Sequence, residues 1–165
     1  MSENRVKSIY LSLGSNLGNR KKNIEIAKSK IVQNKIKILQ ISNYYETLSW
    51  PDPKKPKFLN IVLKILSKNT PNELLSIFSE IEAFLGRKKT IKNAPRVCDI
   101  DIIDYAGKQT NGQIILPHPR MHKRNFVLFP LFELDKDWKH PVLKQNIKKL
   151  ISLLPDKDIT SIKLI

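Results

Sequence analysis

Residues Thr70–Gly86 read TPNELLSIFSEIEAFLG, and they carry the clearest helix signal in the sequence. Thr70 offers an N-cap hydroxyl, Pro71 suits the first helical position, and Glu73 completes a capping box. Gly86 supplies a left-handed stop. An apolar stripe runs between these ends at helical spacing and contains Leu74, Ile77, Phe78, Ile81 and Leu85. The pattern predicts an amphipathic helix that packs against the rest of a domain.

Extended segments lie on both sides of this helix. Residues 58–66 before it and 97–105 after it are rich in apolar and β-branched residues, and both predict strands. Closer to the N-terminus, a strand over 8–13 leads into a helix from about Arg20 to Asn34. A further strand is predicted over 36–47. The stripe of the first helix is Ile24, Ala27 and Ile31.

The order of these elements is β-α-β-β-α-β, with a short strand over 113–116 and a helix over 123–134 added after it. That order predicts an α+β fold, a ferredoxin-like sandwich in which helices pack on one face of a mainly antiparallel sheet. The proline-rich segment 50–56 and the lysine-rich segment 87–96 are predicted to be surface loops.

The composition fits one soluble globular domain covering residues 1–165, with 41% hydrophobic and 27% charged residues. No apolar run is long enough to span a bilayer, and the polar N-terminus has no signal-peptide core, so we expect a cytoplasmic protein. The lone Cys98 excludes an internal disulfide framework and a multi-cysteine metal site, and it is predicted to be a core residue.

The net charge of +15 raises the possibility of a nucleic-acid partner. Lysines account for 24 of the 30 basic residues and are scattered over the whole chain, which is typical of a solvated surface. Four of the six arginines, however, fall between Arg87 and Arg124. Because the guanidinium group can grip phosphate oxygens with two hydrogen bonds, this local cluster is more informative than the total charge.

Two aspartates stand at the centre of the arginine cluster. Asp99 and Asp101 are two positions apart on a predicted strand, so their side chains share one face. Paired carboxylates suit Mg²⁺, which completes its shell with water and substrate phosphates. The alternative to a metal site is that this face of the sheet is simply exposed to solvent. The surrounding bases favour a metal-polyphosphate site, and they are Arg87, Lys88, Lys89, Lys92, Arg96, Arg120, Lys123 and Arg124. Asp104 has the opposite strand parity and is predicted to be structural.

Two other motifs are weaker. His118 and His122 have the spacing of a helical metal pair, but flanking prolines disfavour a helix there, and a phosphate-facing His118 beside Arg124 is the better interpretation. The segment Gly14–Gly18 joins a strand to a helix without the lysine of a Walker phosphate loop, so it predicts a tight turn.

The motifs, taken together and in order, resemble the hydroxymethyl-dihydropterin pyrophosphokinases of folate biosynthesis from about Ser8 to Leu134. The residues that carry the resemblance are Leu13-Gly14-Ser15-Asn16, Tyr45-Glu46-Thr47, Phe58-Leu59-Asn60, Gly86-Arg87, Ala94-Pro95-Arg96, Asp99-Ile100-Asp101, Pro117-His118-Pro119-Arg120-Met121 and Arg124. The loop over 87–96 is one residue shorter than is usual there, and Lys89 stands where an arginine is common.

The resemblance implies transfer of a diphosphate group from ATP to the hydroxymethyl group of a reduced pterin, with AMP as the second product. It implies that Asp99 and Asp101 bind two Mg²⁺ ions and that the catalytic residues are Arg87, Arg96, Asp99 and Asp101. The implied ATP contacts are Lys89, Arg96, Ile102, His118 and Arg124. The implied pterin contacts are Thr47, Leu48, Phe58, Asn60 and Phe126. The expected partners are these two small molecules, with neither nucleic acid nor membrane, and a monomer is the working assumption.

An RNA-binding module is the rival hypothesis, since a ferredoxin-like sheet with a strong positive charge also describes RNA-recognition domains. Such domains expose aromatic side chains on their central strands. This chain instead places Asp99 and Asp101 on such a strand, where they would repel a phosphate backbone in the absence of metal.

Overall fold

The computed structural model describes residues 8–88 and 92–165, and a six-stranded sheet organises them. The elements are β1 (Ile9–Ser15), α1 (Arg20–Gln33), β2 (Lys37–Ile41), β3 (Tyr45–Thr47), β4 (Phe58–Leu66), α2 (Pro71–Phe84), β5 (Asp99–Tyr105), β6 (Thr110–Asn111), β7 (Ile115–Leu116), a 3-10 turn (Met121–Lys123), α3 (Asn125–Leu134), α4 (Ile147–Ser152), α5 (Asp156–Ser161) and β8 (Lys163–Leu164). The strand order is β5-β1-β4-β3-β8, with β2 also paired to β4, and β6 and β7 form a separate hairpin. Every pairing is antiparallel, which confirms the predicted sheet.

The first face of the sheet packs against α1 and α2. Alternate residues of β1 and β4 point into this core, because successive side chains of a strand lie on opposite faces. Helix α2 begins with the predicted capping box between Thr70 and Glu73, and Gly86 follows it with a φ of 96°. The buried core residues from these strands and from α1 are Ile9, Leu11, Leu13, Leu59, Ile61, Leu63, Ile65, Ile24, Ala27 and Ile31.

The second face is also covered, so the expectation that helices pack on one face only was wrong. Tyr10, Val62 and Ile103 point away from the first core and pack with residues of α3 and α4. These strands carry apolar residues at both parities, and a sheet that is apolar on both faces must bury both. The C-terminal segment supplies the second layer of helices. None of the helices in the described part of the chain has the length and apolar character needed to cross a bilayer.

Some element boundaries differ from the prediction. The strand expected over 36–47 is divided into β2 and β3, because Ser42 leaves the regular ladder. Its backbone N–H donates to Val62 O at 3.0 Å, while its hydroxyl oxygen accepts from Val62 N at 2.9 Å. The helix expected over 123–134 begins as the 3-10 turn, and α3 proper starts at Asn125 because Arg124 has an extended backbone.

Candidate active site

One row of paired residues crosses four strands and defines the floor of the candidate site. Asp99 of β5 pairs with Gly14 of β1, Gly14 pairs with Asn60 of β4, and Asn60 pairs with Tyr45 of β3. Directly paired residues of antiparallel strands place their side chains on the same face. The Asp99 carboxylate and the Asn60 amide therefore flank Gly14 on the second face, about 10 Å apart given a strand spacing of about 4.8 Å.

Gly14 leaves the centre of this row without a side chain. A Cβ at this position would lie 3.0 Å from Asn60 Oδ1 and 3.4 Å from Phe58 Cδ1. The close approach, rather than an unusual backbone angle, is what requires glycine here. The open position above Gly14 thus lies between the Asp99 carboxylate, which suits metal ions, and the Asn60 amide, which suits a heterocycle.

Asp99 binds two arginines that come from the two ends of the 87–96 segment. Arg87 Nη1 donates to Asp99 Oδ1 at 2.8 Å, and Arg96 Nη1 donates to Asp99 Oδ2 at 2.6 Å. The Arg87 guanidinium also pairs with Glu82 of α2. Burial raises the pKa of the Asp99 carboxyl, while the positive charge of Arg96 opposes that rise. Burial likewise raises the pKa of Glu82, to about 7.

Asp101 is the more open of the two carboxylates. Its side chain is 46% exposed, compared with 16% for Asp99, and Arg124 Nη1 lies 4.0 Å from its Oδ2. Asp101 pairs with Ser12, and Asp99 pairs with Gly14 on the same strand, so the two carboxylates share the second face roughly 6.6 Å apart along β5.

The donor set fits Mg²⁺. Within residues 8–88 and 92–165 there is no cluster of three or more histidine, cysteine, aspartate or glutamate side chains that could hold a metal by itself. Mg²⁺ keeps several waters and commonly binds through one or two carboxylates together with substrate phosphates, which is what Asp99 and Asp101 can offer. Both oxygens of Asp99 accept from arginines here, so metal binding at Asp99 would require those guanidinium groups to change partners.

His118 lies beside β5, where its backbone N–H donates to Ile103 O at 3.0 Å. Its Nδ1 accepts from the backbone N–H of Arg120 at 3.1 Å, which leaves Nε2 to carry the proton of the neutral ring. Burial lowers the pKa of His118 to about 4, and the charges of Arg124 and Arg120 act in the same direction. His118 is therefore a neutral donor at neutral pH, on a surface shared with cationic Arg124.

Two of the residues that were predicted to contact a pterin are buried and joined by a hydrogen bond. Thr47 and Asn60 are each 2% exposed. Asn60 Nδ2 donates to Thr47 Oγ1 at 2.9 Å and to Tyr45 O at 3.4 Å, so its Oδ1 remains as the acceptor next to Gly14. Leu48, just beyond β3, is 43% exposed.

Each predicted aromatic contact of the pterin has an arginine beside it. The guanidinium carbon of Arg96 lies 5.9 Å from the centre of the Phe58 ring, and that of Arg124 lies 5.4 Å from the Phe126 ring. The aromatic and the cationic parts of the candidate site are thus adjacent at both of its sides.

Comparison with known proteins adds to this geometry. The model of the family described as 7,8-dihydro-6-hydroxymethylpterin-pyrophosphokinase (HPPK) matches residues 10–136. The chain belongs to this family. The HPPK of Aquifex aeolicus, named 2-amino-4-hydroxy-6-hydroxymethyldihydropteridine pyrophosphokinase, is 36% identical over 86% of this chain and 89% of its own length. The namesake in Bacillus subtilis is 35% identical over 76% of each. The resemblance seen in the sequence is confirmed.

Other HPPK relatives are longer proteins. The chain is 40% identical to the folic acid synthesis protein fol1 of Pneumocystis carinii over 96% of its length but spans 22% of that protein. Among solved structures, a Plasmodium falciparum HPPK-DHPS variant crystallised with pterin and p-hydroxybenzoate superposes with a TM-score of 0.72. It covers 99% of this chain and 48% of its own, at 15% sequence identity, and it supports the fold.

Most of the predicted HPPK site residues meet in this region, with two exceptions. Ile102 is 6% exposed and points into the core of the first face, away from the carboxylates, so its side chain gives no support to an ATP contact. Lys89 lies outside the described residues. The predictions for both remain untested.

Asp104 lies on the face opposite to the one predicted. A bulge in β5 pairs Leu11 with Ile102 and Tyr10 with Asp104, so the extra residue Ile103 returns Asp104 to the face of Asp101. Its carboxylate accepts from Trp138 Nε1 and from the Gly107 backbone N–H, both at 2.9 Å. These contacts support the structural role that was predicted for it.

Sequence reasoning missed two residues of the HPPK site. Glu82 holds Arg87, and a charged residue four positions after Phe78 on the apolar stripe of α2 was a signal for it. Asn16, 3% exposed, binds the backbone of Arg96, which is 80 residues away in the chain. The sequence marked Asn16 as part of a tight turn and of the family resemblance, but it did not predict this contact with Arg96.

Proposed function

We propose that this chain transfers the diphosphate group of ATP to the hydroxymethyl group of 6-hydroxymethyl-7,8-dihydropterin, giving AMP and the pterin diphosphate in folate biosynthesis. Membership of the HPPK family supports this function. The row Asp99–Gly14–Asn60 is the observation that carries it, because it sets a phosphate-directed carboxylate and a pterin-directed amide on either side of an open position.

In this reaction the pterin hydroxyl oxygen forms a bond to the β-phosphorus of ATP, and the bond from that phosphorus to the α-phosphate oxygen breaks. The protein contributes mainly position and charge neutralisation, as in other phosphoryl transfers. Asp99 and Asp101 would hold two Mg²⁺ ions, which neutralise charge on the α- and β-phosphates when bound.

Three arginines of this chain would neutralise the remaining phosphate charge, and His118 would add a neutral donor. Arg87 and Arg96 can donate to phosphate oxygens once Asp99 binds metal, and the 44% exposed side chain of Arg87 has room to move. Arg124 lies 4.0 Å from Asp101, and His118 would donate to a phosphate oxygen from Nε2 without adding charge. Lys89 is proposed as a further ATP contact on the resemblance alone.

The pterin ring would bind at the opposite end of the row. Asn60 Oδ1 offers an acceptor to the ring's amino and amide N–H groups, and the backbone of Thr47 and Leu48 could satisfy the rest of that edge. Phe58 and Phe126 would pack against the two faces of the flat ring. A monomeric, cytoplasmic enzyme remains the expected setting.

Product analysis tests this function. The chain is incubated with ATP, Mg²⁺ and the reduced pterin, with parallel reactions that omit the pterin or replace Mg²⁺ by EDTA. We expect AMP and pterin diphosphate in equal amounts, and neither product in the two control reactions. Formation of ADP, or turnover that does not depend on the pterin, would contradict the proposal.

The RNA-binding alternative is not favoured. The face of the sheet that an RNA-recognition domain would use carries Asp99 and Asp101 here, and part of that face is buried under α3 and α4.

A further inference from the structure

Asn16 is placed where three separate segments of the chain meet. It follows β1 directly, and it is 3% exposed. Its backbone N–H donates to Arg96 O at 3.2 Å, and its Oδ1 accepts from the Arg96 backbone N–H at 2.8 Å. Its Nδ2 donates to Pro56 O at 3.1 Å. The Asn16 side chain thus binds the segment 87–96 through its oxygen and the loop 50–56 through its nitrogen.

Both of these partners lead directly to site residues. Arg96 carries the guanidinium that binds Asp99 at 2.6 Å. Pro56 lies two residues before Phe58, the first residue of β4 and the candidate aromatic contact of the pterin. The Asn16 amide is therefore bonded at the same time to a segment that leads to Asp99 and to a loop that leads to Phe58.

A second hydrogen bond joins the same two segments without Asn16. Lys55 Nζ donates to Asn93 O at 2.9 Å. Since Lys55 is one residue before Pro56 and Asn93 is three residues before Arg96, this contact runs parallel to the one through Asn16. It is less buried, because both residues are partly exposed.

We infer that Asn16 is a positioning residue that couples the two substrate subsites, so that nucleotide binding around Arg96 and pterin binding beside Phe58 favour each other. The inference rests on the proposed function. Asn16 itself lies behind the site and is held by backbone groups, so it acts through Arg96 and Pro56 and not by contact with the reacting atoms. Asn16 is buried, and a substitution that removes either end of its amide loses one of these two hydrogen bonds.

Asn16→Asp removes the side-chain hydrogen bond to Pro56 and keeps the one to Arg96. The carboxylate keeps an acceptor for the Arg96 N–H but has no donor for Pro56 O, which it would repel. The subsites should each remain formed while the link between them is lost. Asn23→Ala is the matched control. The Asn23 amide donates to Ser15 Oγ and Leu17 O in the same turn, and it makes no hydrogen bond to the described residues of either loop.

The measurement is the coupling factor, the ratio of the dissociation constants of one ligand without and with the other. Calorimetric titrations use Mg²⁺ with an ATP analogue that cannot be cleaved between the α- and β-phosphates, and the reduced pterin. Coupling between sites is commonly about 5- to 150-fold. We expect Asn16→Asp to retain less than about one fifth of the wild-type factor, with each single-ligand constant changed less than about threefold, and Asn23→Ala to retain all of it.

The outcomes separate this inference from the proposed function. A wild-type chain that binds neither ligand would overturn the proposed function. A wild-type chain that makes AMP but shows a coupling factor near one would overturn only the inference, as would Asn16→Asp with unchanged coupling or Asn23→Ala with an equal loss. If thermal unfolding shows that Asn16→Asp does not fold, Asn16→Ala, which removes both side-chain bonds without adding a charge, takes its place, and a coupling factor equal to that of the wild type would then count against the inference.

Discussion

The two halves of the candidate site are built in different ways. On the pterin side, neutral side chains are buried and fixed by hydrogen bonds, as in Thr47 and Asn60 at 2% exposure each. On the phosphate side, charged side chains are held by ion pairs and remain accessible, as in Arg87 at 44% and Asp101 at 46%. A neutral, buried contact network is preformed, whereas ion pairs that face water can exchange one partner for another. The pterin half should therefore determine affinity, and the phosphate half should determine turnover.

Removal of a carboxylate from the phosphate half tests this division most strongly. We expect Asp99→Asn and Asp101→Asn each to lower kcat by more than about 10³-fold, because a charge that holds metal against the phosphates is lost. The melting temperature should change little. Steady-state AMP formation and thermal unfolding measure the two effects.

Asp104→Asn is the matched control on the same strand and face. Asp104 accepts from Trp138 Nε1 and the Gly107 backbone, so its replacement should lower the melting temperature while turnover persists. Near-normal kcat in Asp99→Asn or Asp101→Asn would show that these carboxylates do not hold the metal.

Arg96 should have the next largest effect. We expect Arg96→Ala to lower kcat by about 10²–10³-fold, the loss typical of a preorganised electrostatic group, with a smaller change in pterin KM. Arg96→Lys should recover only part of the rate, since lysine keeps the charge but lacks the planar fork. Lys148→Ala removes an equal charge from an exposed position of α4, and a comparable loss there would assign the effect to the overall charge of the protein.

Gly14→Ala tests the pterin half of the candidate site. The new Cβ would lie 3.0 Å from Asn60 Oδ1, and Asn60 is restrained by its bonds to Thr47 and Tyr45. We expect pterin KM to rise about tenfold, which corresponds to about 1.4 kcal/mol, with kcat reduced less. Gly112→Ala is the matched control, because a Cβ at Gly112 meets nothing within 4 Å. An unchanged pterin KM in Gly14→Ala would show that the open position is not used.

The same contrast explains what the sequence could predict. Helix α2 and strand β4 were predicted closely because their signals are local: a capping box at Thr70 and a stretch rich in apolar and β-branched residues over 58–66. The break at Ser42 was missed because it depends on hydrogen bonds to Val62 across the sheet. The second helical layer was missed because the apolar residues at both parities of β1, β4 and β5 were interpreted for one face only.

Within the site, Asp99 and Asp101 were recognisable as a pair because two-residue spacing on a strand fixes their common face. The contact between Asn16 and Arg96 joins residues 80 positions apart, and no local pattern marks it. The β5 bulge that reorients Asp104 also depends on a long-range feature, the register between β5 and β1. Sequence alone thus indicated candidate groups, while long-range pairing decides how they are held.

His118 gives the smallest expected effect and tests whether the phosphate half holds a neutral donor. Its folded pKa of about 4 lies below the ordinary value of 6.5. The unfolded chain therefore takes up a proton between pH 6.5 and 4 that the folded chain does not. Its contribution to stability is present above pH 6.5 and is lost as the pH falls through that window.

Chemical denaturation at pH 7.5 and pH 5 of wild type and His118→Gln measures this contribution. We expect the free energy of unfolding of the wild type to fall more than that of His118→Gln on acidification, by on the order of 1–2 kcal/mol. One pKa unit is worth about 1.4 kcal/mol, and partial exposure of the ring reduces the effect. His122 and His140 are present in both proteins, so their titration cancels in the difference. Equal losses in the two proteins would mean that folding does not lower the pKa of His118, which would contradict the burial argument.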